Sequence, residues 1–249
     1  MKVHTILETI LLIFICPLLS ATQAPGDSTA TIRIKWFGQS SFLVTTTSGT
    51  NILIDPANFK GYHFPDSVSA DIVTVSHEHI DHNYVKGVLG SPAIFRGTDD
   101  KCQTFNSIDT TIRGIRLYSI SSYHNPAHTA VNAVFVYEFD GLRMVHLGDI
   151  GTVLTDEQLR AIGNIDILMI PVGGKYTITA AEADTIVNQL DVKRLVIPMH
   201  YKTEAFPELP YTAEPFLKGK ENVIRIDNNY FIIDPATMPE TREYVLLRY

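Results

Sequence analysis

The sequence is poor in cysteine, in net positive charge and in long apolar runs, and each shortage excludes a class of protein. Two cysteines among 249 residues are too few for a disulfide framework. The formal net charge of −7 argues against a nucleic-acid partner, because such a partner requires a basic face. No apolar run reaches the roughly 20 residues that a membrane-spanning helix needs. No glycine- or proline-rich linker divides the chain after residue 30, and 45% hydrophobic content is typical of a globular protein.

The N-terminal segment is the most apolar part of the chain. Residues 10–19 form an apolar run that is preceded by Lys2 and followed by small polar residues. This pattern is typical of a secretory signal. We therefore expect residues 1–24 to be a signal peptide and the start of a linker, and residues 25–249 to be an exported domain, periplasmic or secreted, without a transmembrane span. Lipid attachment at Cys16 is the less favoured alternative, because bulky residues precede it.

The remainder of the chain has the patterns of strands and short helices. Segments rich in β-branched and aromatic residues, bounded by turn residues, predict strands over 32–37, 41–46, 51–54, 72–75, 93–95, 111–121, 133–139, 142–147, 165–171 and 194–198. The first three should form an antiparallel meander, and residues 83–89 suit a short helix. Capping-box spacing at Thr155 and Thr179 predicts two further helices. Strands that alternate with helices indicate an α/β architecture.

Four potential metal ligands occupy six positions directly behind the predicted strand 72–75. They are His77, His79, Asp81 and His82. In an extended chain alternate side chains share a side, so His77, His79 and Asp81 would point the same way, and His82 would follow as the chain turns. Four ligands from one loop suit a pair of divalent ions. Imidazole and carboxylate ligands favour zinc, with iron or manganese as alternatives.

Three later residues repeat the position of His77 at the end of an apolar strand: His124, Asp149 and His200. If these strands run in register, their ends gather at one edge of a sheet, where α/β proteins commonly place their ligands. Each residue alone would be read as a structural histidine or a turn aspartate. Together they predict a metal site in a cleft. Asp55, at another strand end, suits a turn or the support of a ligand histidine equally well.

The motif His77-x-His79-x-Asp81-His82 resembles the signature of the metallo-β-lactamase superfamily, and the three later residues match its remaining ligands in order and spacing. The resemblance implies a single-domain, four-layer αβ/βα sandwich with a metal site at one edge of two facing sheets. It also implies the ligand sets. One metal would be held by His77, His79 and His124, the other by Asp81, His82 and His200, with Asp149 bridging both.

Segments 145–149, 170–177 and 197–203 are similar to the small hydrolases that include the ascorbate-6-phosphate lactonases. This resemblance implies a hydroxide held by two divalent ions, Zn²⁺ or alternatively Mn²⁺ or Fe, that attacks a small-molecule lactone, ester or phosphodiester. Asp81 is the implied catalytic residue, which orients the hydroxide or accepts its proton. An exported location departs from the cytoplasmic sugar-phosphate lactonases, so the substrate stays open, as does the oligomeric state.

Other functions on the same fold are disfavoured by the residues present. A non-catalytic metal-binding protein is expected to have lost ligands, whereas all seven are present here. A di-iron redox protein of this fold typically has glutamate at the position of His79 and needs a flavin module, for which the chain has no room. A nuclease of the fold usually has an inserted domain and a basic surface. A hydrolase is therefore the expected function.

Overall fold

A computed structural model describes residues 30–249, so the predicted export segment lies outside the described residues. The strands in this range are β1 Ile32–Trp36, β2 Phe42–Thr45, β3 Asn51–Ile54, β4 Ile72–Val75, β5 Ala93–Arg96, β6 Asp109–Ile112, β7 Ile115–Tyr123, β8 Val131–Phe139, β9 Leu142–His146, β10 Ile167–Pro171, β11 Leu195–Met199, β12 Val223–Ile226, β13 Tyr230–Ile233 and β14 Glu243–Leu247. The α-helices are α1 Asp156–Ile162, α2 Ala180–Gln189 and α3 Glu214–Leu217, and short 3₁₀ helices cover Val85–Gly87 and Pro235–Thr237. Within 30–249, no helix has the length and apolar character to cross a bilayer.

Two sheets form the centre of the fold. The first has six strands in the order β13-β1-β2-β3-β4-β5, and the second has eight in the order β12-β14-β11-β10-β9-β8-β7-β6. Strands β1 to β3 pair antiparallel, which confirms the predicted meander. Strands β3 to β5 are parallel to one another. In the second sheet β6 to β9 are antiparallel, and β9, β10 and β11 are parallel.

The main hydrophobic core lies between the two sheets. Ile32, Ile34 and Trp36 alternate along β1 with more exposed residues, and they join one buried cluster with residues of the second sheet such as Phe135. Burial of these side chains is the main source of stability, because each contributes about 1.5–3 kcal/mol. A hydrogen bond of 2.7 Å joins Thr74 of the first sheet to the Tyr137 hydroxyl of the second. The two sheets therefore pack as one domain.

Outer layers cover both sheets and complete the αβ/βα sandwich. Helix α2 buries Ala183, Ile186 and Val187 in the main core. Over the first sheet, a smaller cluster places Phe64 against residues of β3 and β4, and Val85 of the Val85–Gly87 3₁₀ helix packs onto it. The helix predicted over 83–89 is thus only this single 3₁₀ turn.

Sequence patterns predicted most of these elements, but they missed β12 to β14 and α3 and merged β6 with β7. Both capping boxes are confirmed, since Thr155 and Thr179 each accept a hydrogen bond from the backbone three residues later. The single strand predicted over 111–121 is wrong. Arg113 and Gly114 have φ values of 51° and 78°, and the chain reverses there into the β6–β7 hairpin. Apolar residues lie on both sides of the turn, Ile112 before it and Ile115 after it, so the two strands read as one.

Candidate metal centre

The ends of four strands deliver the candidate ligands to one edge of the sandwich. Because β7 and β9 are both antiparallel to β8, they run the same way, and β10 and β11 run with them. His124 follows β7, Asp149 follows β9 and His200 follows β11. His77 follows β4 of the facing sheet. The predicted gathering of strand ends is therefore present.

All seven predicted ligands come together in two groups. The first is His77, His79 and His124, the second is Asp81, His82, Asp149 and His200, and within each group the potential ligand atoms lie within 4.8 Å of one another. In the first group, His77 Nε2 is 3.0 Å from His79 Nδ1. The Oδ2 atom of Asp149 lies 3.2, 3.1 and 3.6 Å from the Nε2 atoms of His82, His200 and His124. One carboxylate oxygen of Asp149 is thus close to both groups.

The loop behind β4 turns earlier than its sequence suggests. The backbone N–H of His82 donates to the His79 carbonyl at 3.0 Å, so the predicted extended chain through Asp81 is wrong beyond His79. This turn separates Asp81 from His77 and His79 and places it beside His82 instead, in the second group. Ile80, at the tip of the turn, is exposed.

A buried hydrogen-bond network fixes the imidazole rings of His77 and His82. Asp55 accepts hydrogen bonds from the Ser76 backbone N–H at 2.7 Å and from the Ser76 hydroxyl at 2.6 Å. Asp55 Oδ2 also lies 2.8 Å from His82 Nδ1, and the Ser76 oxygen lies 3.0 Å from His77 Nδ1. Since a carboxylate only accepts, and the serine proton is already donated, both Nδ1 atoms carry hydrogen. Each ring therefore turns its Nε2 toward the ligand groups, and Asp55 is a supporting residue.

A second network holds Asp149 in place. Asn132 Oδ1 accepts the Asp149 backbone N–H at 3.0 Å, while Asn132 Nδ2 donates to the Leu147 carbonyl at 2.9 Å. His146 is fully buried, and its Nδ1 accepts the Gly148 N–H at 3.1 Å while Nε2 donates to the Ser40 carbonyl at 2.9 Å. His146 thus supports the turn before Asp149 and is not itself among the grouped ligands.

The charges in the site suit cations. Burial on its own would raise the pKa of Asp149, but His200, His82 and a hydrogen bond from His124 hold that pKa well below its usual value. Burial lowers the pKa of His77 well below its usual value, so its ring is neutral at neutral pH. Burial on its own would lower the pKa of His82, but Asp149, Asp81 and Asp55 raise that pKa well above its usual value, so a divalent metal would bind in place of a proton on this ring. Within residues 30–249, His82 Nε2 is buried without a hydrogen bond, and a cation would give it a partner. The donor set therefore fits the implied metals.

The ligand groups open onto a cleft of about 450 Å³. His79, Asp81, His124 and Asp149 line its floor, and the other lining residues are Gln39, Phe59, Lys60, Tyr176, Phe206 and Glu208. Sequence reasoning identified none of these six. Only Gln39 had a local signal that could have identified it, namely its place in a glycine turn directly after an apolar strand. The wall residues come from loops without any such pattern.

Comparison with known proteins assigns the family. The model of a family described as "Beta-lactamase superfamily domain" matches residues 33–200, which contain all seven candidate ligands. The chain belongs to this beta-lactamase superfamily. The superfamily resemblance of the histidine motif is thereby confirmed, and the αβ/βα sandwich is the fold expected for it.

Relatives within the superfamily share most of the chain. A protein from Methanobrevibacter smithii named UPF0173 metal-dependent hydrolase is 30% identical over 211 residues, which cover 72% of this chain and 84% of the relative. One of the same name from Methanosarcina barkeri is 27% identical and covers 82% of this chain and 96% of its own. A crystal structure of a candidate Zn-dependent hydrolase of the metallo-beta-lactamase superfamily from Thermotoga maritima has 33% identity and a TM-score of 0.70, covering 87% of this chain and 98% of that one.

Proposed function

We propose that this protein is a metal-dependent hydrolase with two divalent cations, zinc in the first instance, that cleaves a small carboxylic ester or lactone. The observation that carries the proposal is the pairing of two ligand groups around the Oδ2 atom of Asp149 at the floor of a cleft. The names of the relatives support metal-dependent hydrolysis. Seven ligands exceed the four that one tetrahedral zinc uses, which supports two ions.

When bound, such a cation pair acidifies a water molecule toward a pKa of about 7 and polarises the carbonyl oxygen of the substrate. The residues of the chain supply the rest. Asp149 is the candidate bridge between the two groups, because its Oδ2 lies within 3.6 Å of histidines of both. Asp81 Oδ2 lies 3.6 Å from His82 Nε2 at the cleft floor, where it can orient the attacking water or accept its proton.

The walls of the cleft favour an apolar acyl substrate over a phosphodiester. Phe59 and Phe206 pack edge to face with ring centroids 5.5 Å apart, and Tyr176 is exposed on the cleft wall. Of the described residues that line the cleft, Lys60 alone is a lysine or arginine, and it is paired with Glu208 at 3.2 Å. Phosphate recognition normally uses unpaired arginine or lysine. Aromatic walls instead bury the apolar part of an ester or lactone.

A substrate panel tests this proposal. Zinc-loaded protein is assayed on aryl esters, lactones of increasing alkyl length and a bis-phosphodiester, with Asp149→Asn as the control for a contaminating esterase. We expect the best ester or lactone to exceed the phosphodiester at least tenfold in kcat/KM, and Phe206→Ala to reduce the preference for longer alkyl chains. A preference for the phosphodiester, or activity that persists in Asp149→Asn, would overturn the proposed substrate class or its site.

A further inference from the structure

Gln39 places an amide among the candidate ligands although no motif contains it. The residue follows β1 with a φ of 51°, and its side chain is 1% exposed. Its carbonyl accepts hydrogen bonds from Trp36 Nε1 at 3.0 Å and from the His200 backbone N–H at 3.1 Å. The backbone of Gln39 is thereby fixed to the residue that supplies a ligand of the second group.

The amide end of Gln39 lies inside the second ligand group. Its Nε2 atom is 2.9 Å from Asp81 Oδ2 and 2.8 Å from His200 Nε2. Ligand atoms that bind one ion at about 2.1 Å and at right angles are themselves about 3.0 Å apart. The terminal atom of the amide therefore has the spacing from its neighbours that an additional ligand atom would have.

Hydrogen bonding alone does not satisfy this arrangement. His200 Nε2 faces the Gln39 amide nitrogen, a donor, and also Asp149 Oδ2 at 3.1 Å, an acceptor. One ring nitrogen cannot accept from the amide and donate to the carboxylate at once. In the part of the chain that the structure describes, Gln39 Oε1 is buried without a hydrogen bond, which is costly for a polar atom. The two ends of an amide are nearly isosteric, so rotation about its last torsion exchanges them.

We propose that Gln39 is a ligand of the cation held by Asp81, His82, Asp149 and His200, through its side-chain amide oxygen. Rotation of the amide brings Oε1 to the position 2.9 Å from Asp81 Oδ2 and removes the donor from His200 Nε2. Such an amide oxygen would add one ligand to those that Asp81, His82, Asp149 and His200 offer this cation. The inference rests on the proposed two-cation site and adds a ligand to one half of it.

Zinc affinity measured against a competing chelator tests this role without reference to activity. Gln39→Leu removes the amide, whereas Gln39→Glu retains an oxygen at the end of the side chain. If Gln39→Leu does not fold, Gln39→Met, which is similar in length to glutamine, replaces it. Gln189→Leu is the matched control, because Gln189 Nε2 also donates, to the Leu154 carbonyl at 3.1 Å, but lies in α2 away from the ligands. Circular dichroism verifies the fold of each variant.

We expect Gln39→Leu to lower the zinc affinity of one site at least tenfold and to leave that of the other site unchanged. Gln39→Glu and Gln189→Leu should each bind two zinc ions with at least the wild-type affinity. In cobalt-loaded protein, Gln39→Leu should strengthen the visible absorption, as expected when the coordination number decreases. Gln39→Leu with both zinc affinities at or above the wild-type values would overturn the inference and leave the two-cation function intact. Wild-type protein that binds no zinc would contradict both.

Discussion

At the scale of single residues, the site depends on which nitrogen of each imidazole carries hydrogen. Asp55 and Ser76 fix that choice for His82 and His77, because their oxygens can only accept the Nδ1 hydrogens at 2.8 and 3.0 Å. The Nε2 atoms then face the ligand groups. Asp55 is not itself a candidate metal ligand, yet it determines which ring nitrogen His82 and His77 turn toward the ligand groups.

Asp55→Asn tests this dependence. The amide NH₂ would place a donor against the Nδ1 hydrogen of His82 or the Ser76 hydroxyl, so ring orientation should be lost. We expect zinc affinity to decrease about 10- to 100-fold, the usual range for residues that support a ligand. Stability should also decrease by about 1–3 kcal/mol, since buried polar groups lose partners. Chelator competition and thermal unfolding measure the two effects.

Asp71→Asn is the matched control for Asp55→Asn. Asp71 likewise accepts a backbone N–H beside a strand, from Asn51 at 2.9 Å, and contacts Arg113 at 3.2 Å, but it lies outside the two ligand groups. The Asp71→Asn variant should have a lower free energy of unfolding and an unchanged zinc affinity. Equal losses of zinc affinity in both variants would show that general destabilisation, and not His82, explains the result.

The candidate ligands had a clearer signal in the sequence than the residues that contact them, for a physical reason. His77, His124, Asp149 and His200 each follow an apolar strand, so the signal is local. The role of Asp55 depends on a contact with His82, 27 residues away, and that of Gln39 on one with His200, 161 residues away. The first pair forms when β3 pairs with β4, and the second forms only when the two sheets pack together, so no local pattern encodes either contact.

At the scale of elements, the turn between β9 and Asp149 requires a glycine at residue 148. Gly148 has a φ of 57°, and a Cβ there would overlap Asn132 Oδ1 and lie 2.8 Å from Ser76 Cβ. Asn132 is the residue that binds the Asp149 backbone. Any side chain at Gly148 must therefore displace the support of Asp149.

Gly148→Ala should consequently impair both stability and metal binding. We expect a loss of about 2–4 kcal/mol from backbone strain and overpacking together, and weaker binding of at least one zinc. Gly141→Ala is the control, because Gly141 has a similar φ of 76° in the β8–β9 turn but open space around its Cβ. It should lose only about 1–2 kcal/mol, with full zinc content. Unchanged zinc affinity in folded Gly148→Ala would contradict the role given to this turn.

Elements were predictable where the local signal was strong. The two capping boxes predicted α1 and α2, and runs of apolar, β-branched residues predicted the central strands. The β6–β7 reversal was missed because apolar residues flank its two-residue turn on both sides. Strand β13 lies beside β1 although nearly the whole chain separates them, so its place depends on tertiary pairing and not on propensity.

At the scale of the whole molecule, export stays a prediction that concerns residues outside the described range. The apolar run over 10–19 predicts a mature N-terminus between about residues 17 and 27. N-terminal sequencing of protein from the native host checks this, in the cytoplasm and outside it. Intact Met1 on soluble cytoplasmic protein would contradict export, and a lipid-modified Cys16 would favour the anchored alternative.

The central claim is that the folded chain holds two cations around Asp149, and metal analysis of wild type beside Asp149→Asn tests it most directly. The exchange preserves size but removes the charge that lets one carboxylate oxygen serve both groups, where Oδ2 lies 3.1–3.6 Å from three histidines. We expect two zinc equivalents in wild type, about one in Asp149→Asn with an unchanged circular dichroism spectrum, and turnover reduced more than about a hundredfold. A wild-type stoichiometry that stays at one under zinc supplementation, or two equivalents with full turnover in Asp149→Asn, would contradict the account.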